Sequence, residues 1–464
     1  MQKLNIKKHP LQTHTTMKNR HLLACLAFLL FPAIAAWAQE PADNNFSLNL
    51  STMTRGELRY GGFLEPVDAE AEQAEAIEGF SRFIIGRYRL TADYSRSWLE
   101  ARVSLQQSGT WGMGGGSFSL NEGWVALKSK KGWFTKIGRQ ILAYDDERII
   151  GSNDWAMTAP THDMLKLGYE GHQHKAHLLF AYNQNPENMN NGSTYYSGGN
   201  QPYKSMQALW YHYDTPKSLF GASLLFMNIG MQNLSSSTST VFFQQLAGTY
   251  ITFKPKYFEA EGAFYYQFGT QEHGLPLSAY MGSIKLTAKP RDSYSIYAGY
   301  DYLSGDTYFA VPQDGQIGLI HHDKARGFNP IYGSHHEFYG AMDFFYMRTF
   351  VGNFTPGLQN AYLGSTFTPV KDLNFNVAGH CYAMATKLPN VDQFLGLAAE
   401  FSANYAFTKY ISAECGYSYM YGSETMKFLK RVSEGQQLHW AYLMLTINPT
   451  LFSTSWQDKK QDKK

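Results

Sequence analysis

The sequence predicts an all-β fold: a transmembrane antiparallel β-barrel of about 18 strands, with long extracellular loops and short periplasmic turns. Polar and apolar residues alternate over successive segments of about 10–14 residues, the length that a tilted membrane strand needs. Short and long connections follow one another between these segments. The 464 residues also include 32 Tyr and 31 Phe, residue types that favour strands and membrane interfaces.

An export signal is predicted at residues 1–38, with Met17 as an alternative start. Basic residues precede an apolar stretch at 22–34 that is too short to span a bilayer. An A-x-A cleavage motif follows at 36–38. The rest of the chain is therefore expected outside the inner membrane.

The alternation is clear at residues 98–108, where Glu100 and Arg102 alternate with Ala101 and Val103. Successive side chains of a strand point to opposite faces, so each such segment has one ionic and one apolar surface. A soluble sandwich has the same period, but its strands are usually nearer five or six residues. We therefore expect the barrel over residues 39–450 and a polar tail over 451–464.

The connections define the strand count. Eight are tight, at Ser95-Arg96, Lys130-Lys131, Gly171-His172, Pro216-Lys217, Pro255-Lys256, Pro290-Arg291, Val370-Lys371 and Thr408-Lys409. Nine are mostly longer, at about 61–78, 111–116, 142–161, 185–202, 229–238, 271–277, 305–356, 387–393 and 422–435. Nine hairpins joined by eight turns make eighteen strands, with both termini in the periplasm. An extra strand within 305–356 would break this parity, so that segment is predicted to be one long loop folded over or into the lumen.

Composition and motifs exclude several functions. The formal net charge of +2 argues against a nucleic-acid partner, and the mean hydropathy of −0.36 argues against a multi-span helical membrane protein. No P-loop, G-x-S-x-G or H-E-x-x-H pattern occurs, so no enzyme activity and no cofactor are expected. His321-His322 and His335-His336 could recruit a metal, but loop histidines are more often solvated, and no metal site is predicted. Cys381 and Cys415 alternate with apolar neighbours and are expected to face lipid.

Strand alternation predicts the inward face. It includes Arg87, Arg89, Asp93, Glu100, Arg102, Glu122, Lys166, Glu259, Glu261, Lys285, Asp301, Glu400 and Glu414. Most of these residues are expected to form ion-pair ladders in a water-filled lumen. Cations near a constriction could also attract an anionic solute.

The densest charged motif is Gly138-Arg139-Gln140, followed by Asp146-Glu147-Arg148, Trp155 and Asp163. This order resembles the alginate-export family of outer-membrane barrels. Weaker similarity extends over two stretches, 259–269 and 336–343. The resemblance implies an eighteen-stranded barrel whose arginine-rich lumen passes an anionic polysaccharide past a gating loop. It implies lumen or gate roles for Arg139, Asp146 and Arg148.

We therefore expect a monomeric channel of the outer membrane that contacts lipid and lipopolysaccharide and passes polar or anionic solutes such as saccharides. One alternative is a dedicated exporter of an acidic polysaccharide. Another, from a different class, is a surface adhesin or scaffold barrel with a plugged lumen.

Overall fold

The computed structural model describes residues 43–61, 81–185, 196, 201–232, 240–271, 274–306, 324–345, 355–388, 390–430 and 437–457. Its strands are β1 Asp43–Tyr60, β2 Ser81–Arg96, β3 Leu99–Thr110, β4 Ser117–Lys128, β5 Trp133–Gln140, β6 His162–Glu170, β7 His174–Tyr182, β8 Ser205–Asp214, β9 Phe220–Gln232, β10 Val241–Phe253, β11 Phe258–Thr270, β12 Pro276–Arg291, β13 Tyr294–Leu303, β14 Leu358–Val370, β15 Leu373–Ala383, β16 Phe394–Thr408, β17 Ile411–Gly422, β18 Gln437–Ile447 and β19 Thr450–Gln457. One short helix, α1, spans Glu424–Lys430.

The strands close into one antiparallel barrel of eighteen transmembrane strands. Each strand pairs with its sequence neighbour, and β1 pairs on its other side with both β18 and β19. These last two segments are one strand, because Thr52 of β1 lies opposite Ile447 and Asn49 lies opposite Thr450. The interruption contains Pro449, whose nitrogen cannot donate a hydrogen bond to a neighbouring strand. The fold class predicted from the sequence is confirmed.

The connections alternate in length as the sequence predicted. Eight of them contain two to five residues, and the nine between them contain five to 54. By the usual organisation of such barrels, the short turns lie at the periplasmic end and the long loops at the extracellular end. The described part of the longest connection contains no strand, so the even strand count is preserved.

Large apolar side chains cover the outward face. Alternate residues of successive strands are exposed there, as Val103, Leu224 and Leu363 illustrate with exposed fractions of 51%, 61% and 61%. A closed barrel with an apolar exterior satisfies every strand hydrogen bond internally, as a membrane span requires. The predicted location in the outer membrane is confirmed. Among the described residues, no helix is long and apolar enough to cross a membrane.

Two long connections fold into the barrel. We call residues 141–161, between β5 and β6, loop A, and the described parts of residues 304–357, between β13 and β14, loop B. Ile150 of loop A forms a bridge with Tyr332 of loop B, and both are buried. They pack on inward-facing apolar residues of the strands, among them Met206, Met227 and Leu246. Loop B thus lies inside the lumen, one of the two positions that the sequence predicted.

One predicted boundary is wrong. The barrel was expected to end at residue 450, but β19 continues to Gln457. Residues 43–49 of β1 form hydrogen bonds with it, which removes an edge that would otherwise be left unpaired. Residues 453–457 are mostly polar because this stretch lies at the periplasmic rim. That composition suggested a tail. The predicted signal peptide and residues 458–464 lie outside the described residues.

Candidate functional site: the lumen and its two loops

Loop A crosses the lumen from β5 to the opposite wall. Near its start, Asp145 accepts hydrogen bonds from Trp210 Nε1 of β8 at 3.0 Å and from Ser223 Oγ of β9 at 2.6 Å. Arg148 then reaches Asp301 on β13, with 3.0 Å between the guanidinium and the carboxylate. Since β13 lies on the far side of the barrel from β5, these contacts place loop A across the lumen.

Arg148 joins three elements of the fold. Besides Asp301, its guanidinium contacts Asp146 at 3.1 Å and lies 4.1 Å above the ring of Phe338 in loop B. Its side chain is only 5% exposed, and that of Asp301 is 2% exposed. Asn360 donates a further hydrogen bond to Asp301 at 2.9 Å. Removing one partner of such a buried pair leaves an uncompensated charge, so Arg148 holds loop A and loop B against β13.

The far end of loop A is held by aromatic stacking. Trp155 lies between the guanidinium of Arg55, 4.1 Å from its ring, and the imidazole of His336 in loop B, 4.2 Å away and parallel. His336 also contacts Asp343 at 3.0 Å. Arg87 donates a hydrogen bond to the carbonyl oxygen of Asp154 at 2.7 Å. Loop A is therefore fixed to the wall on both sides of its crossing.

Loop B has its own contact with the wall. The backbone N–H of Ala341 donates to Glu400 of β16 at 2.7 Å, and the ring of Phe345 lies 4.5 Å from that of Tyr382 on β15. Tyr339 is 2% exposed, and its hydroxyl oxygen accepts a hydrogen bond from Arg148 at 3.4 Å. Burial raises the pKa of the Tyr339 hydroxyl to about 12, so it stays neutral at physiological pH.

A cavity of about 650 Å³ lies between the loops and the barrel wall. Its charged lining comprises Asp145, Asp146, Glu261, Asp301, Glu337, Glu400 and Glu414, together with Arg148, Lys254 and Lys285. Carboxylates thus outnumber lysine and arginine side chains in this part of the lumen. Several are already engaged: Glu261 accepts a hydrogen bond from Tyr250, and Glu414 accepts one from Tyr442 at 2.6 Å.

Two loop carboxyl groups beside this cavity protonate more readily than free ones. Burial raises the pKa of Asp145, and hydrogen bonds from Ser223 and Trp210 offset part of that increase. Burial also raises the pKa of Glu337, and the nearby carboxylate of Glu147 adds to it.

The predicted arginines of β2 and β3 point into the lumen and are paired. Arg89 donates to Gln106 at 3.1 Å and contacts Asp154 at 3.2 Å. Arg102 lies between Asp93, at 2.7 Å, and Glu122, at 3.1 Å. These contacts form the ion-pair ladder that strand alternation predicted.

The remaining predicted acids are also paired. Glu259 lies between Lys254 and Lys289, at 2.8 and 2.5 Å, near the short-turn end of the barrel. Glu261 is 3.9 Å from Lys285. Both positions therefore stabilise the lumen wall. Their contacts alone assign them no part in binding a solute.

Lys136 and Lys166 differ from the other inward cations. They lie directly opposite each other on β5 and β6, and neither ammonium has an ion pair or hydrogen bond with any described residue. The Lys136 ammonium lies 3.7 Å over the ring of Trp124, and that of Lys166 lies 5.2 Å from the ring of Tyr144. Like charges placed directly across two strands repel each other, so an anion between them would be favourable. The sequence prediction assigned Lys166 to the lumen and left Lys136 undecided, although the apolar side chain of its neighbour Ile137, which is 60% exposed, was a usable signal.

Arg139 is a correction. The register places Lys136 and Gln140 inward and Arg139 outward, opposite Asp163. Arg139 and Asp163 form a bidentate ion pair, in which each of the two hydrogen bonds is 2.7 Å long. The expectation that Arg139 lines the lumen is wrong, because it is one residue out of phase with Lys136. Gly138, which precedes it, has a φ of +121°, and a Cβ there would lie 2.2 Å from the carbonyl oxygen of Gly123. The glycine of this motif therefore permits close strand packing.

The structure describes some of the predicted cysteine and histidine positions. Cys381 and Cys415 are exposed free thiols on β15 and β17, with β16 between them. His321-His322 lies outside the described residues. Among the residues that the structure describes, no group of three or more His, Cys, Asp or Glu side chains could hold a metal ion.

Comparison with known proteins reveals similarity at the level of the fold. No family model matches the chain, and no curated protein matches it. Among solved structures, OccK9 (OpdG) of Pseudomonas aeruginosa is 14% identical with a TM-score of 0.57, covering 88% of this chain and 98% of its own. A BenF-like porin from Pseudomonas fluorescens Pf-5 is 11% identical with a TM-score of 0.58, at 88% and 99% coverage. OccK2 (OpdF) of P. aeruginosa, solved in complex with glucuronate, is 12% identical with a TM-score of 0.56, at 88% and 97% coverage.

The fold is thus that of eighteen-stranded outer-membrane porins. At these identities the similarity establishes the architecture alone. The resemblance to alginate exporters implied the same kind of barrel, but none of these findings supports that family specifically.

Proposed function

We propose that the protein is a diffusion channel of the outer membrane for small polar solutes, and that solutes bearing a carboxylate, acidic saccharides among them, contact Lys136 and Lys166 during passage. The observation that carries the proposal is the interior cavity of about 650 Å³, lined by charged side chains and narrowed by loops A and B. A lumen of this strand number leaves room for an aqueous path unless loops fill it.

The anionic preference rests on the lysine pair. No described carboxylate forms an ion pair with either lysine, so each ammonium can exchange water for a solute carboxylate without breaking an ion pair. OccK2, which shares the fold, was solved with glucuronate, an acidic sugar. A long polyanion is a poorer fit, because the carboxylates that line the cavity would repel its successive charges.

The test is transport by the purified protein in liposomes and planar bilayers. We expect discrete open-channel currents from the wild-type protein. Glucuronate should enter about tenfold faster through wild type than through the Lys136→Gln/Lys166→Gln variant, since a charge-assisted hydrogen bond is worth roughly 1.5–3 kcal/mol. Entry of neutral glucose should change by much less in the same variant. Lys371→Gln, in an exposed turn at the short-turn end, is the matched control and should behave as wild type.

Absence of current in the wild type, and in a variant lacking loop B, would overturn the channel proposal. Equal loss of glucose and glucuronate entry in the double variant would overturn the role of the lysine pair while leaving the channel in place.

A second candidate is a surface scaffold whose lumen is closed. One observation favours it: apolar side chains of loops A and B pack in one continuous cluster with inward residues of β7–β12. The conductance measurement separates the two, because a scaffold would show no current with folded wild-type protein.

A further inference from the structure

The lipid-facing surface of the barrel contains a groove where β18, β1 and β2 meet. It has a volume of about 700 Å³ and lies on the outward side of the strands, away from the lumen. Its floor is Gly56 of β1, which lies opposite Leu443 of β18 on one side and Ile84 of β2 on the other. Leu443 is 64% exposed and Ile84 is 39% exposed, so these two side chains form the walls of the groove.

The groove exists because Gly56 has no side chain. A Cβ built at this position would meet only the Ile84 side chain, at 4.0 Å, so the space above the glycine is open. Strand geometry does not require a glycine here, since Gly56 does not have a positive φ. A larger residue could occupy the site without strain, and the open space is therefore a property of the surface rather than of the backbone.

The groove has a polar end near the extracellular rim. Arg82 lies two residues before Ile84 on the same outward face of β2, which begins directly after the long connection at 61–80. Trp111, 55% exposed, lies at the end of β3 beside the same groove. Tryptophan favours the boundary between hydrocarbon and headgroups, and arginine matches phosphate geometry. The apolar part of the groove thus faces acyl chains, and its rim faces headgroups of the outer leaflet.

We propose that this groove binds one phosphorylated lipid of the outer leaflet, with lipid A chemistry: an acyl chain lies over Gly56 between Ile84 and Leu443, and a headgroup phosphate contacts Arg82. The membrane position of the groove selects a lipid as the occupant, and the charge of Arg82 selects an anionic headgroup. The site is independent of transport through the lumen.

The experiment is native mass spectrometry of the full-length barrel in detergent with added lipid A, lipid A without its phosphates, or phosphatidylethanolamine. Wild type should retain lipid A through removal of the detergent and prefer it over the other two lipids. Gly56→Leu fills the groove and should lower retention by about tenfold, whereas Arg82→Gln should abolish the preference for the phosphorylated form. Gly282→Leu is the matched control. It adds the same side chain at an outward glycine of β12, opposite Phe264 and with equal room.

Heat-modifiable migration in gels confirms that each variant is folded. Retention of lipid A by Gly56→Leu at the wild-type level would overturn the groove as the site. Equal retention of all three lipids by wild type would show ordinary boundary lipid, and would also overturn the proposal.

Discussion

The two sides of the barrel interior are built differently. On β7–β12, inward residues near the long-loop end are apolar and fully buried, as Leu179, Met206 and Met227 show, because loops A and B pack on them. On β2–β6 several inward residues are ionic, and Arg102 and Lys136 are partly exposed. One wall is a protein core, and the other carries charged side chains.

This difference indicates that the polarity of a strand's inner face depends on whether a loop packs against that face. In β9, Leu224 and Phe226 face lipid, while Leu225 and Met227 face the interior, so the strand is apolar on both faces. A barrel strand that lacks polar alternation therefore indicates a loop packed against its inner face. Strands that keep the alternation border water.

The largest effect is expected from breaking the contact that holds loops A and B to β13. Arg148→Ala leaves Asp301 buried without its cation, so the docking of loops A and B on the wall should weaken by about 3–5 kcal/mol. We expect a larger single-channel conductance and faster protease cleavage within loop A. Arg139→Ala is the matched control from the same motif: its ion pair with Asp163 is more exposed, and its loss should cost less than about 1 kcal/mol. Equal effects of the two variants would contradict the assignment of Arg148 as the residue that holds the loops to β13.

A smaller effect is expected from opening a cavity in the apolar wall. Met227 is completely buried, and Met227→Ala should lower the free energy of unfolding by about 2–5 kcal/mol. Urea unfolding from lipid vesicles measures this change. Met113→Ala, at a residue 71% exposed in a loop, should stay within about 0.5 kcal/mol of wild type. A destabilisation no larger than that of Met113→Ala would mean that the loops do not pack on this wall in the membrane.

The smallest effect concerns the pH dependence of the current, through the carboxyl group of Glu337 in the cavity lining. Because partial desolvation beside the cavity and the Glu147 carboxylate raise the pKa of Glu337, its carboxylate is lost at a higher pH than that of a free glutamate side chain. The ratio of cation current to anion current should fall as the pH falls through this range. Loop docking should become slightly more stable at the same time, since the charged form is the disfavoured one. Glu337→Gln should remove this step, and Glu424→Gln, at a side chain 74% exposed, should keep it. An identical pH profile for wild type and Glu337→Gln would contradict the assignment.

Much of the fold was predictable from the sequence because alternation and turn chemistry are local. Successive side chains of a strand face opposite sides whatever lies beyond it, so Arg89, Arg102 and Glu400 could be placed inward from their neighbours alone. Arg139 could not, since a shift of one residue reverses its face and Lys136, Gly138 and Gln140 compete within the same short strand.

By itself, the sequence determined the eighteen strands, the order of short and long connections, and most of the inward ionic residues. Only the tertiary structure decided that Arg148 meets Asp301 across 153 residues, that Lys136 meets Lys166, and that an outward glycine lies between Ile84 and Leu443. These contacts depend on strand register, barrel closure and the path of two loops. No local pattern encodes them, because the partners become neighbours only when the barrel has closed.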